Sequence, residues 1–216
     1  MAIKMIETFR YDTSLFPFRN DVEQMLNVRN LEQLHYQDGV PTDIVETGKD
    51  NHTIWHNKFY DALTGSYFEN HYKAFLRLVL VPYFKENLVF QARPTFRIHW
   101  VGNLSVGSYH KDSEYNHPLE ELNFWIPITN AFGTNSIFIE SEPDKGDFKS
   151  QFVEYGSVLQ FPGGLLKHGN QINNTSQTRV SFDFRVIPES KYKDRPDLFG
   201  VAFGKKRILG DYYQKL

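Results

Sequence analysis

Histidines and carboxylates are concentrated in residues 105–127, which read SVGSYHKDSEYNHPLEELNFWIP and contain two histidines and four acidic side chains. The whole chain has no cysteine, so a metal ion could be held only by His, Asp or Glu, which makes any such site hard to borderline in character. In an extended strand, residues i and i+2 point to the same side about 6.6 Å apart, and His110 and Asp112 have this spacing. Both could reach one ion bound about 2.1 Å from each. Because a His-X-Asp pair is common by chance, the stretch alone leaves a metal site and a solvated acidic loop both open.

A third ligand has to come from a distant segment, and His168 in FPGGLLKHGNQIN is the best candidate. It follows a turn and lies in a short segment that mixes polar and apolar residues. Arg179 stands eleven residues later, and Ser181 follows two residues after that on the same strand face. A His-X-Asp pair, a distant His and an Arg-X-Ser at this offset form a far more specific combination than the pair alone.

The composition excludes several classes of partner. The 216 residues carry a formal net charge of -2 and a pI near 6.4, which gives no indication of binding to nucleic acid or to an anionic membrane. The most apolar segment, residues 75–84, is too short to cross a bilayer, and the first residues, MAIKMIETFRYD, lack the apolar run of a signal peptide. We therefore expect a cytoplasmic protein that acts on a small molecule, folded as a single domain over residues 1–216.

The elements that must position these residues fall into two halves. Residues 1–88 are predicted to be mostly helical, because apolar residues recur with a 3.6-residue period from Asp21, a candidate N-cap, until Pro82. Residues 89–188 alternate and turn, which predicts strands at 95–101, 121–128, 136–140, 148–154, 157–161, 166–172 and 179–186. Many short strands favour a sandwich or barrel. Residues 189–216 form a C-terminal extension for which a lid, a dimer contact and a simple wrap over the barrel all remain open.

Each of the longer predicted strands has one apolar face and one selectively polar face. The polar face carries Arg, Asn, Ser, Asp and Trp rather than the Lys and Glu of an ordinary exposed surface. We therefore predict that the polar face lines a cavity and that the apolar face packs under the N-terminal helices.

Four stretches carry a resemblance to a known family: QARPTFRIHW, HKDSEYNHPLEELNFWIPIT, GTNSIFIES and HGNQINNTSQTRVSFDFRV. They resemble the non-haem Fe(II)- and 2-oxoglutarate-dependent dioxygenases, and within them the dioxygenases of streptomycin-biosynthesis type from carbohydrate-modifying gene clusters. The resemblance implies a mainly β fold with N-terminal helices, in which a double-stranded β-helix (a cupin-like jelly roll) is flanked by α-helices. It also implies Fe(II), 2-oxoglutarate and O2 as cofactors, with His110, Asp112 and His168 as the metal ligands.

The resemblance further implies an arginine that binds the distal carboxylate of 2-oxoglutarate. Arg179 has this role by its place in the motif, and Ser181 is expected to donate a further hydrogen bond. Asn123 or Arg97 would contact the carboxylate nearer the metal, or Arg97 would bind the substrate. The implied reaction is hydroxylation of a polar, sugar-like molecule with release of succinate and CO2.

Arg179 and Arg185 lie on the same face of one predicted strand, and an estimate of reach chooses between them. If the chain turns at residues 173–176, Arg179 is offset from His168 by roughly 7 Å along the barrel and Arg185 by roughly 13 Å. A five-carbon diacid spans about 5 Å and its bond to the metal adds about 2 Å. Arg179 is therefore the predicted anchor, and Arg185 is predicted to pair with Asp183 or with a carboxylate near the far end of the barrel.

Two other functions remain open at this point. A cupin-like sugar epimerase would use a His-Asp pair as a general base without iron, but it would not need Arg179. A non-catalytic sugar-binding module would keep the barrel but would not need all three ligands. A homodimer is also left open by the sequence.

Overall fold

The computed structural model describes residues 5–41, 52–105, 108–199 and 204–216. Among these residues the α-helices lie in the N-terminal part: α1 (Phe18–Leu26), α2 (Ile54–Leu63), α3 (Tyr67–Phe75) and α4 (Val81–Phe84). A π-helical turn over Leu76–Leu80 joins the last two, and a 3-10 helix lies at Leu31–Tyr36. The helix predicted to begin at Asp21 instead begins at Phe18 and ends at Leu26, and Asn27 after it adopts the left-handed conformation that favours helix ends. Asp21 lies in its first turn and bonds to His71 at 2.7 Å instead of acting as the N-cap.

The start of α3 shows how local sequence sets these boundaries. The Ser66 hydroxyl accepts a hydrogen bond from the Glu69 backbone N–H, and the Glu69 carboxylate accepts one from the Gly65 N–H. These reciprocal bonds satisfy backbone donors that have no partner within the helix.

The strands are β1 (Glu7–Arg10), β2 (Leu88–Gln91), β3 (Thr95–His99), β4 (Leu122–Pro127), β5 (Phe138–Ile139), β6 (Lys149–Ser150), β7 (Ser157–Phe161), β8 (His168–Gly169), β9 (Arg179–Pro188), β10 (Arg195–Phe199), β11 (Lys206–Arg207) and β12 (Tyr213–Lys215). The larger sheet has the order β1-β7-β4-β9-β2-β12, and β3 pairs with β9 beside β2. A smaller sheet has the order β6-β5-β8, and β10 and β11 form a separate pair. The pairings within these sheets are antiparallel, so the expectation of a mainly β chain with N-terminal helices is confirmed.

Two predicted strands are much shorter than the alternation indicated. Of residues 148–154 only Lys149–Ser150 pair regularly, and of 166–172 only His168–Gly169 do. Both pair with β5, which has two residues because a 3-10 turn precedes it and the loop 140–147 follows it.

Strand β9 separates the core from the cavity. Its residues Val180, Phe182, Phe184 and Val186 are fully buried, and Phe182 packs against Phe18 and Phe68 of the helices with ring centroids 5.0 Å apart. The intervening polar residues point to the opposite face, as the strand period requires. The predicted division into a helix-covered apolar face and a polar face that lines a cavity is confirmed.

The C-terminal extension wraps the edge of the larger sheet, because β12 pairs with β2. Within the residues that the structure describes, no helix is long and apolar enough to span a membrane.

Candidate metal centre

The structure brings His110, Asp112 and His168 together, with one potential ligand atom from each lying within 4.8 Å of the others. Oδ1 of Asp112 lies 3.6 Å from Nε2 of His110 and 3.4 Å from Nε2 of His168. Two atoms that each bind one ion at about 2.1 Å are at most about 4.2 Å apart, so both separations suit a shared ion. Two imidazoles and one carboxylate are the donor set of the non-haem Fe(II) oxygenases.

The backbone places these ligands through pairing between segments instead of through a regular strand. His110 and His168 form a β-bridge in which each N–H donates to the other's carbonyl, at 3.0 and 2.9 Å. The Asp112 N–H donates to the Gly163 carbonyl at 2.8 Å, and Asp112 begins a 3-10 helix. The predicted strand pair of His110 and Asp112 is therefore wrong in its secondary structure, although the two side chains do converge.

Hydrogen bonds to the backbone fix the orientation of both imidazole rings. Nδ1 of His110 lies 2.9 Å from the Ser108 carbonyl, and Nδ1 of His168 lies 3.0 Å from the Leu166 carbonyl. A carbonyl can only accept, so Nδ1 carries the proton in each ring and Nε2 presents its lone pair towards Asp112. This arrangement is typical of metal-binding histidines, whose second nitrogen is held by a carbonyl or carboxylate.

Arg185 and Asn123 hold the other oxygen of Asp112. Oδ2 accepts hydrogen bonds from Nε and Nη2 of Arg185, at 3.1 and 2.9 Å, and from Nδ2 of Asn123 at 2.7 Å. Burial alone would raise the pKa of Asp112, but the Arg185 guanidinium holds it well below its usual range. Asp112 is therefore ionised and leaves Oδ1 for a cation.

These contacts correct the expected position of Arg185. Arg185 does pair with Asp183, at 2.7 Å, but it also bonds to Asp112, so it lies at the metal ligands and not at the far end of the barrel. The offset along the strand missed this because it ignored the length and lean of an arginine side chain. Nδ2 of Asn123 donates to Asp112, and the contact of Asn123 or Arg97 with 2-oxoglutarate stays a prediction.

Arg179 also borders the cavity and is 2% exposed. Its Nε donates to the Asn135 carbonyl at 3.0 Å and its Nη1 donates to Oγ of Ser181 at 2.8 Å. The side chain of Asn170 lies 3.5 Å from Nη2. Since Asn170 follows His168 by two residues, about 6.6 Å in an extended chain, this contact agrees with the short offset expected between Arg179 and the metal ligands.

The cavity borders Arg97, Trp125, Asp183 and both arginines of β9. Nε of Arg97 donates to Asp183 at 2.9 Å, and Asp183 also pairs with Arg185. The cavity is also bordered by Asn123 and by both histidine ligands. Ser181 contacts its wall by accepting the hydrogen bond from Arg179.

Three residues that support the ligands were not singled out from the sequence. A Cβ on Gly163 would lie 2.5 Å from Nδ2 of Asn123, so only glycine leaves room for that amide. The buried carboxylate of Glu140 accepts a hydrogen bond from the Lys167 N–H, next to His168, at 2.7 Å. Asp144 pairs with Lys111 and Lys167, which adjoin the ligands on their two segments. The PGG turn was the one signal that could have indicated Gly163.

His117, the second histidine of residues 105–127, belongs to another network. His117 bonds to Glu121 and to Arg207, and Tyr213 also donates to Glu121. Among the residues that the structure describes, neither His117 nor the pair His52 and His56 joins a cluster of potential metal ligands.

Comparison with known proteins supports both the lineage and the fold. No family model matches the chain. The chain is 34% identical over 204 residues to the streptomycin biosynthesis protein StrG of Streptomyces griseus, covering 94% of this chain and 95% of StrG. Among solved structures, it is similar to SnoN, a non-heme alpha ketoglutarate dependent epimerase from nogalamycin biosynthesis, with a TM-score of 0.54 and 12% identity over 98% of this chain and 93% of SnoN.

A second similar structure is SnoK, a non-heme alpha ketoglutarate dependent carbocyclase from nogalamycin biosynthesis. Its TM-score is 0.52 with 13% identity, over 99% of this chain and 92% of SnoK. At these identities the two likenesses establish a shared fold.

Proposed function

The chain belongs to the family of the streptomycin biosynthesis protein StrG, and on this premise we propose that it is an Fe(II)- and 2-oxoglutarate-dependent oxygenase. The observation that carries the proposal is the convergence of His110, Asp112 and His168 at the wall of a cavity. The fold that the chain shares with SnoN and SnoK agrees with it. We further propose that the two sheets form a double-stranded β-helix, the jelly roll of such enzymes.

The residues present fit the proposed cofactors. Nε2 of each histidine and Oδ1 of Asp112 would hold Fe(II), and Arg179 would bind the distal carboxylate of 2-oxoglutarate, since an arginine fork is always charged and matches a carboxylate. With O2, this pair of cofactors supplies the oxidation of a C–H bond coupled to the decarboxylation of 2-oxoglutarate. The protein keeps Asp112 ionised through Arg185, fixes the tautomer of both histidines and confines the reaction to a partly closed cavity.

The proposed substrate is a polar, sugar-like molecule. The support for it is the polar lining of the cavity and the membership of a family whose named relative acts in streptomycin biosynthesis. A panel of sugars, nucleotide sugars and aminocyclitols should include at least one compound that stimulates succinate formation. Stimulation by fatty acyl compounds alone would contradict this choice.

The experiment that tests the class needs no substrate. Anaerobic addition of Fe(II) and then 2-oxoglutarate should produce a weak visible charge-transfer band that a chelator removes. His110→Ala should lose the band together with bound iron, because two ligands are left. His117→Gln should keep it, since His117 contacts Glu121 and Arg207.

An iron-free epimerase that used His110 and Asp112 as a general base would show no band and would keep its activity in chelator. The epimerase function is less favoured because it would leave the buried Arg179 without a role. If the purified wild-type chain binds Fe(II) but shows no response to 2-oxoglutarate, the proposed function is wrong.

A further inference from the structure

His99 lies directly opposite Arg179 in the pairing of β3 with β9 and is fully buried. Both of its ring nitrogens face backbone carbonyls: Nδ1 is 3.2 Å from the Asn135 oxygen and Nε2 is 3.0 Å from the Asn103 oxygen. A neutral imidazole has a single N–H, so it can donate to only one of them. Two neutral tautomers of His99, with the proton on Nδ1 or on Nε2, therefore have to be distinguished.

The surroundings decide the choice. An imidazolium could donate to both carbonyls, but burial and the adjacent Arg179 lower the pKa of His99 to about 3, so the ring is neutral at ordinary pH. Nη2 of Arg179 lies 3.4 Å from Nδ1 and has only hydrogens to offer. A proton on Nδ1 would oppose those hydrogens and would leave the Nε2 lone pair facing the Asn103 oxygen.

The other tautomer also leaves one lone pair, that of Nδ1, facing a carbonyl, but at Nδ1 the nearby Nη2 of Arg179 can supply a hydrogen. Nε2–H donates to Asn103, and Nδ1 accepts from Nη2 of Arg179. The Asn135 carbonyl receives its hydrogen bond from Nε of Arg179 at 3.0 Å. Together with Ser181, which accepts from Nη1, these contacts fix the plane of the guanidinium.

From this geometry we infer that His99 is a positioning residue, whose Nδ1 acceptor sets the direction in which Arg179 presents its guanidinium to a carboxylate in the cavity. The inference rests on the proposed function in one respect, that the carboxylate belongs to 2-oxoglutarate. His99 itself does not need to touch the cosubstrate, because its effect passes through the arginine.

Two substitutions separate this role from a purely structural one. The amide oxygen of Asn occupies about the place of Nδ1, so His99→Asn keeps an acceptor for Arg179 and loses the contact with Asn103. The amide of Gln reaches the place of Nε2, so His99→Gln keeps the contact with Asn103 and loses the acceptor. A positioning role predicts that Gln is the harmful change, and a role in holding the Asn103 loop predicts that Asn is.

The readout is the dissociation constant of 2-oxoglutarate, titrated by the visible band of the anaerobic Fe(II) protein. His99→Gln should weaken 2-oxoglutarate binding by about tenfold, since a hydrogen bond to a charged group is lost, whereas His99→Asn should remain within about twofold of wild type. Fe(II) affinity should stay unchanged in both. Equal losses, or a larger loss with Asn, would overturn the inference.

A second measurement tests the inference even if the variants fail to fold or the wild-type protein shows no visible band. The imidazole 15N shifts of His99 in the wild-type protein should report a protonated Nε2 and a bare Nδ1. A proton on Nδ1 would overturn the inference whatever the variants do. Absence of a band in the wild type would refute the proposed function, and the tautomer would then decide the inference by itself.

Discussion

Arg179 and Arg185 point to the same side of β9 but have different partners, and substitution should separate their tasks. Arg179 contacts Asn135 and Ser181, whereas Arg185 pairs with Asp112 and Asp183. Arg179→Gln should raise the apparent KM for 2-oxoglutarate tenfold or more, because losing one charge-assisted pair costs roughly 1.5–3 kcal/mol. Steady-state kinetics at saturating Fe(II) measures this, and the free energy of metal binding should change little.

Arg185→Gln should act on the protein before any cosubstrate binds. It leaves the buried Asp112 carboxylate without its cation, and breaking such a pair from one side costs about 3–5 kcal/mol. The free energy of unfolding of the metal-free protein should therefore fall by about this much, and saturating Mn(II) should recover part of the loss. Arg185→Lys, which keeps the charge but not the fork, should give an intermediate loss. A rise in the 2-oxoglutarate KM confined to Arg185→Gln, with none in Arg179→Gln, would reverse the assignment.

At the scale of elements, the turn after β7 determines whether Asp112 can be held. The Gly163 carbonyl accepts from the Asp112 N–H, and a Cβ at Gly163 would lie 2.5 Å from the Asn123 amide. Gly163→Ala should therefore displace Asn123 from Asp112 and weaken Fe(II) binding by about tenfold, the effect of one lost hydrogen bond to a charged group. Equilibrium metal titration of the purified variant checks this.

The adjacent glycine supplies the control. A Cβ at Gly164 would meet Leu119 at 3.4 Å, an ordinary contact, so Gly164→Ala should bind Fe(II) as the wild type does. Equal weakening by both substitutions would indicate that the turn needs glycine for its backbone and not for the space beside Asn123.

The same elements show what the sequence could and could not predict. The faces of β4 and β9 follow from alternation alone, because burial imposes a strict period of two on strands that pack between helices and a cavity. The triad also follows, since its residue types and their order along the chain are unusual. Three features do not follow from the sequence: the short pairing of β8, the 3-10 helix that begins at Asp112, and the contact of Arg185 with Asp112. Each depends on a partner segment or on the reach of a long side chain.

At the scale of the whole molecule, buried neutral histidines should make stability depend on pH. His56 is 1% exposed, and burial, followed by the nearby Arg97 and His52, lowers its pKa to about 3. His99 is likewise held at about 3 by burial and Arg179. In the unfolded chain both would titrate near 6.5.

The sign of the effect follows from proton uptake. Above pH 6.5 the two rings are neutral in both states and their contribution to stability is fully present. As the pH falls towards about 3, the unfolded chain binds protons that the folded chain does not, so the free energy of unfolding decreases by up to about 1.4 kcal/mol per pH unit for each ring. From pH 7 to pH 5 each histidine should therefore remove about 2 kcal/mol.

Removing one of these rings should reduce the pH dependence of the free energy of unfolding by the contribution of that ring. His56→Asn places an acceptor where Nδ1 now meets the Thr53 hydroxyl at 2.7 Å, so the cap of α2 is retained while the titrating group is lost. Urea unfolding of the chelated, metal-free protein at pH 7 and pH 5 should show a loss about 2 kcal/mol smaller in His56→Asn than in wild type. His52→Asn, which removes an exposed ring four residues earlier in the chain, is the control and should reproduce the wild-type loss. If the two variants flatten the dependence equally, or if neither does, the acid sensitivity arises elsewhere and His56 is not held neutral by its burial.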